Sequence, residues 1–145
     1  MSDSIASPGH SAIPHGSDRG ASRDAPRVVI GRRAFTILAW IFAISVAVQV
    51  FMAGMAIFVG PTWWNNHRSF VHVFEFVPLL MLVAAFVGQM PARAKWLSLL
   101  AFVLVALQYG FIAMGSSSLP ALAALHPVNA LLIFGLGLRL ATGRT

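Results

Sequence analysis

Four long apolar runs constrain the fold of this sequence more than any other feature. They cover about residues 34–59, 62–90, 96–115 and 120–140. An α-helix rises about 1.5 Å per residue, so roughly 20 apolar residues cross the hydrocarbon core of a bilayer. Each run is of that order. We therefore predict an all-α membrane protein whose domain, residues 34–142, holds four transmembrane helices, called spans 1 to 4 below.

Charged residues are too scarce to build a water-soluble surface. They make up 10% of the 145 residues, and 58% are hydrophobic. A soluble domain is about a quarter charged. Glu75 is the only acid after Asp24, and there is no cysteine, which excludes disulfide frameworks and thiolate metal sites. The predicted partner over most of the surface is therefore the lipid bilayer.

The two ends of the chain differ from the apolar runs. Residues 1–33 are rich in Ser, Gly, Pro and Arg and lack apolar periodicity, which is typical of a disordered tail. The first apolar run starts too late and is too long for the core of a signal peptide. His10 and His15 lie in this tail and are expected to be solvated. Residues 143–145 form a second short tail.

The basic residues indicate how the spans are oriented. Nine of the ten fall on one side of a four-span topology, and only Arg68 falls on the other. The positive-inside rule then places both termini in the cytoplasm. Because these residues flank apolar runs and form no single folded face, no nucleic-acid partner is predicted. Nine arginines against one lysine are typical of a GC-rich genome, so we expect the cytoplasmic membrane of a bacterium.

One polar pattern, Q-x11-P-x5-H, occurs twice with an offset of 59 residues. The copies are Gln49, Pro61, His67 and Gln108, Pro120, His126. Proline suits the first turn of a helix, so Pro61 and Pro120 are predicted to start spans 2 and 4. The constant offset predicts that the domain consists of two parallel helical-hairpin repeats, related by an axis along the membrane normal.

The repeated histidines predict a cofactor site. His67 and His126 would lie at similar depth near the outer ends of spans 2 and 4, where two facing imidazoles can hold a haem iron. The leading hypothesis is a small protein that binds b-type haem between these spans for electron transfer or haem handling, with a redox or membrane-complex partner. Small residues of spans 1 and 3 would make room: Ala53, Gly54, Gly110 and Gly115. Interhelical hydrogen bonds are expected of three further polar residues: Gln49, Gln108 and Asn129.

Span 2 carries a second set of polar residues. Arg68, His72 and Glu75 follow the spacing i, i+4, i+7 and share one helix face. His72 is a rival axial ligand, but it points about 140° away from His67, so only one of them can meet His126 well. Glu75 could pair with Arg68 or bond to His72. An acid inside a span is costly and usually functional, so the alternative hypothesis is a non-haem transporter subunit or structural partner that uses Glu75. No enzyme motif is present, and the oligomeric state is not predicted.

Parts of the sequence resemble one four-helix half of haem A synthase. His67-Arg68 is similar to the His-Arg dipeptide that opens the second helix there, and His126 with Ala130 is similar to its H-x-x-x-A pattern. The resemblance implies haem ligation by these histidines. Trp64 stands where haem A synthase has an acid before the histidine, and only one four-helix unit is present. The oxygenase chemistry of that enzyme is therefore not predicted.

A closer resemblance is to an uncharacterised family of small bacterial four-helix membrane proteins of unknown function. It is carried by the HR dipeptide near span 2, the LQ dipeptide in span 3 and the segment HPVNALLIF, residues 126–134. It covers about residues 34–142. It implies the fold, and it implies no activity.

Overall fold

The computed structural model describes residues 25–117 and 119–144, and over these residues the chain is helical without strands. The helices are α1 (Pro26–Phe58), α2 (Trp63–Phe74), α3 (Val77–Val87), α4 (Ala92–Ser117), α5 (Pro120–Ala123) and α6 (Leu125–Ala141). Span 1 is α1, span 2 is α2 with α3, span 3 is α4, and span 4 is α5 with α6. All four are long and apolar enough to cross a membrane, so the predicted all-α, four-span fold is confirmed. The expectations for residues 1–24 lie outside the described residues.

The four spans pack as a bundle in which spans 2 and 4 lie across a diagonal. Helix α1 packs against both parts of span 2 and against α6, and α4 packs against α3, α5 and α6. Spans 1 and 3 therefore each touch spans 2 and 4. Residues of spans 2 and 4 can meet only across the middle of the bundle, which makes that axis the place for a shared site.

Large apolar side chains occupy both the inside and the outside of the bundle. Phe35, Phe42 and Met81 are fully buried between the helices, whereas Phe58 is 87% exposed and Leu131 is 69% exposed. In water such an outer surface would cost free energy in proportion to its apolar area. In hydrocarbon it costs nothing, so the apolar exterior fits contact with a lipid bilayer.

Helix α1 begins at Pro26, well before the apolar run at Ala34. Pro26 occupies the first helical turn, where its missing N–H is not needed. Gly31 lies so close to Gly88 that a Cβ atom added to Gly31 would overlap the Gly88 backbone. Arg32 Nε also donates a hydrogen bond to the Gly88 carbonyl at 3.0 Å. The start of span 1 is thus docked onto the end of span 2, which apolar periodicity cannot reveal.

Two prolines interrupt the helices of spans 2 and 4. Helix α2 ends at Phe74 and α5 ends at Ala123. These are the residues whose carbonyls would accept the N–H of the residues at positions 78 and 127. Because Pro78 and Pro127 have no N–H and their rings crowd the preceding turn, the helix is interrupted there. Span 2 resumes as α3 at Val77, and span 4 resumes as α6 at Leu125.

Candidate functional site

His67 and His126 meet across the diagonal of the bundle. His67 is on α2 and His126 is on α6, and both side chains are half-buried. Their ring centroids are 6.2 Å apart, with an angle of 54° between the ring planes. The Trp64 ring packs edge-on against His67 at 5.5 Å. The two repeated histidines therefore form one paired site.

Each imidazole is anchored to the backbone of the preceding span. His67 Nδ1 lies 3.0 Å from the carbonyl oxygen of Gln49, and His126 Nδ1 lies 3.4 Å from that of Gln108. A carbonyl oxygen only accepts hydrogen bonds, so Nδ1–H is the donor in both contacts. In the neutral tautomer that results, Nε2 of each ring keeps its lone pair and is available as a ligand.

The side chains of Gln49 and Gln108 also belong to the site. Gln49 Nε2 donates to the backbone oxygen of His67 at 2.7 Å, which ties span 1 to span 2 as expected of an interhelical hydrogen bond. The side-chain oxygens Oε1 of Gln49 and Gln108 are buried and have no hydrogen-bond partner among the described residues. A buried amide oxygen without a partner costs free energy, so a donor at this place would stabilise the protein.

A cavity of about 130 Å³ joins these four side chains. The rest of its lining is apolar and comes from all four spans, including Ala53, Phe74 and Ala130. Of the small residues expected to make room, Ala53 does line the cavity. Gly115 instead lets α4 approach Ala123 of α5, where a Cβ atom would clash.

The site is a two-histidine site. No group of three or more His, Cys, Asp or Glu side chains that could hold a metal ion occurs within residues 25–117 and 119–144. A structural zinc site, which needs four protein ligands, is thus absent from that part of the chain. A pair of neutral imidazoles remains a suitable donor set for an ion whose other ligands come from a macrocycle.

His72 and Glu75 belong to a second polar cluster, away from the cavity. His72 Nδ1 lies 3.2 Å from Glu75 Oε1. Tyr109 of α4 donates its hydroxyl to Glu75 Oε2, and its ring stacks on His72 with centroids 6.2 Å apart and planes 20° apart. His72 does not line the cavity, so it is His67 that faces His126. Sequence reasoning missed Tyr109, although it is the only tyrosine in the chain.

The remaining candidate residues, Arg68 and Asn129, make hydrogen bonds outside both polar sites. Arg68 donates to Asn65 Oδ1 one turn away, so Arg68 is paired within its own helix. Asn129, which is 4% exposed, donates from Nδ2 to the Leu104 carbonyl at 2.8 Å and joins span 4 to span 3. This is the interhelical bond expected of an amide inside a bundle.

Comparison with known proteins shows a similarity over part of the chain. Residues 49–115 match a family described as "Family of unknown function (DUF6220)". The matched region begins at Gln49 and contains His67, Glu75 and Tyr109, but it ends before His126. No curated protein and no solved structure matches the chain. Over these residues the chain is therefore similar to an uncharacterised family.

Proposed function

We propose that this protein binds one b-type haem between spans 2 and 4, with His67 and His126 as axial ligands, for electron transfer or haem handling. The observation that carries the proposal is the anchored pair: each imidazole donates its Nδ1–H to a backbone carbonyl, which leaves Nε2 free, and the two rings lie 6.2 Å apart beside one cavity. When bound, a haem held in this way supplies a one-electron redox centre.

The spacing of the rings supports the proposal. A bond between a metal ion and an imidazole nitrogen is about 2 Å long, so two imidazoles on opposite sides of one ion have their nitrogens about 4 Å apart. Adding the distance from each nitrogen to the centre of its ring brings the expected centroid separation close to the observed 6.2 Å.

The anchors fix the orientation of both ligands. A hydrogen bond from the second ring nitrogen sets the tautomer and raises the basicity of a ligating imidazole. His67 and His126 make this bond to Gln49 and Gln108, which stand at the same distance in sequence from their histidines. The matching contacts also support two parallel hairpin repeats as the origin of the site.

Room for the macrocycle must come from movement at the outer end of the bundle. The cavity of about 130 Å³ is smaller than a porphyrin. Span 4 contributes to the cavity only through α6, and α2 and α6 carry the two histidines. Haem binding is therefore expected to move α2 and α6 apart at this end and to leave the buried core around Phe42 and Met81 intact.

The cellular setting belongs to the same proposal. We place the protein in the bacterial cytoplasmic membrane with both termini in the cytoplasm, because nine of ten basic residues fall on one side of the four spans. A redox or membrane-complex partner would exchange electrons or haem with the outer end of spans 2 and 4.

The test is an absorption spectrum of the detergent-purified full chain from haem-replete cells, oxidised and dithionite-reduced. We expect a Soret band and sharp reduced α band at about one haem per chain, and the loss of both in His67→Ala and His126→Ala. His72→Ala is the matched control and should keep them. A featureless wild-type spectrum, or an unchanged spectrum in His126→Ala, would overturn the proposal and leave the alternative of a non-haem transporter subunit or structural partner that uses Glu75.

A further inference from the structure

The cluster of His72, Glu75 and Tyr109 lies on the outward surface of the bundle where spans 2 and 3 meet. The side chain of His72 is 63% exposed and that of Glu75 is 18% exposed. Tyr109 is 42% exposed. Glu75 is equidistant from Trp63 and Val87, the two ends of its span. A bundle that crosses a bilayer would present this cluster to hydrocarbon and not to water.

Hydrocarbon offers no hydrogen-bond partner to such a cluster. The carboxylate of Glu75 is shared between His72 and Tyr109, which lowers the cost of placing an acid within the span. Nε2 of His72 has no hydrogen-bond partner among the described residues, and its ring faces outward. A polar group exposed to lipid is unfavourable until something supplies the missing bond. The cluster is thus an incomplete hydrogen-bonding site.

The cluster combines three kinds of contact in one place. Glu75 offers carboxylate oxygens that accept hydrogen bonds. His72 offers a ring nitrogen that can donate or accept. The nearly parallel rings of His72 and Tyr109 offer an aromatic surface from two different spans. A matching ligand is flat and aromatic and carries oxygen atoms that donate and accept hydrogen bonds.

We propose that this cluster binds the head ring of a lipid-soluble quinone or quinol. The ligand has to reach the middle of span 2 through the hydrocarbon, which excludes water-soluble molecules and the charged headgroups of phospholipids. A quinol ring carries two hydroxyl groups and dissolves in hydrocarbon through its tail. One hydroxyl donates to Glu75, the other oxygen bonds to Nε2 of His72, and Tyr109 holds the carboxylate in place.

The inference goes beyond haem binding, because every group that contacts the quinone belongs to the protein and lies outside the histidine cavity. The two sites are neighbours all the same. His72 follows His67 by five residues, about 7.5 Å along the helix. Tyr109 directly follows Gln108, whose carbonyl anchors His126. Quinone binding can therefore be tested on protein with or without haem.

The test uses the full chain in phosphatidylcholine nanodiscs with a photoreactive azido derivative of a short-chain ubiquinone that is reduced to the quinol and kept under argon, and unlabelled short-chain ubiquinol as competitor. We expect saturable labelling, with adducts mapped by mass spectrometry to the peptides that contain His72 and Tyr109. Tyr109→Phe and Glu75→Gln keep the side-chain shapes and should each raise the apparent Kd about tenfold. Tyr109→Phe removes the hydrogen bond that positions the carboxylate, and Glu75→Gln replaces a charged acceptor with a neutral one. Helical content checks that the variants are folded.

The control variant is His126→Ala, which removes the haem ligand and should leave quinone labelling unchanged. Its spectrum and its labelling report on the two proposals separately. Labelling that rises in proportion to quinone concentration and is equal in all variants would show simple partitioning into lipid and overturn the inference. Shielding of the cluster by a second copy of the chain, detected as a cross-link between His72 regions, would overturn it as well.

Discussion

The His67 and His126 rings lie 6.2 Å apart across the bundle, each held by the backbone of a glutamine in the preceding span. Neither ring is placed by its own helix alone. The Gln49 carbonyl fixes His67 from span 1, and the Gln108 carbonyl fixes His126 from span 3. All four spans therefore help to position the two imidazole rings, and the hydrogen bonds at Nδ1 fix the orientation of each ring.

If the protein binds haem as proposed, replacement of one of the two histidines by methionine should change the properties of the haem without removing it. A thioether also ligates haem iron, and a Met/His pair raises the reduction potential relative to two histidines. We expect His126→Met to keep a haem spectrum and to show a higher midpoint potential in a redox titration. His72→Met is the control and should keep the wild-type potential. An unchanged potential in His126→Met would mean that His126 does not touch the iron.

Removal of the proline in span 2 should weaken ligand binding at the cluster of His72, Glu75 and Tyr109 and leave the histidine pair unaffected. Pro78→Ala restores an N–H that can bond to the Phe74 carbonyl, so α2 and α3 are expected to join into one helix. Glu75 lies at the interruption and would turn away from Tyr109, and quinone labelling should weaken about tenfold. His67 lies two turns earlier, so the haem spectrum should persist. Pro127→Ala is the matched control in span 4, and labelling that fell equally in both variants would argue against this explanation.

Much of the architecture could be predicted from the sequence because its signals are local. Run length and hydropathy gave the four spans, and the equal offset of Gln49 to His67 and Gln108 to His126 led to the paired histidines. The start of α1 at Pro26 could not be predicted in this way, because the basic residues there carry no apolar periodicity and become helical by docking Gly31 onto Gly88.

The position of Tyr109 beside His72 and Glu75 could not be predicted from the sequence. The spacing of His72 and Glu75 predicted that they share a face, and the two side chains do bond to each other. No pattern within span 3 indicates which of its residues lies beside them. That depends on the rotation and vertical register of α4 against span 2, which are set by packing along the whole interface.

The close approach of Gly31 and Gly88 should be intolerant of side chains. Gly31→Ala places a methyl group against the Gly88 backbone, and the shift needed to relieve the overlap should cost about 1–3 kcal/mol. Gly54→Ala is the matched control, since a Cβ atom there meets nothing within 4 Å. The measurement is thermal unfolding in detergent followed by circular dichroism. Equal stability of the two variants would contradict the packing described for the start of span 1.

The Asn129 side chain should contribute to stability in proportion to one hydrogen bond between spans. Its Nδ2 donates to the Leu104 carbonyl from a position that is 4% exposed, so Asn129→Ala removes a contact that neither water nor lipid can replace. Bonds of this type contribute about 0.6 kcal/mol on average and up to about 1.7 kcal/mol. Ser98→Ala is the control, because Ser98 is equally buried but bonds within its own helix to the Ala94 carbonyl. That carbonyl keeps its helical partner after the change, so thermal unfolding should show a smaller loss for Ser98→Ala than for Asn129→Ala. The reverse order would contradict a stabilising contribution from the hydrogen bond between Asn129 of span 4 and Leu104 of span 3.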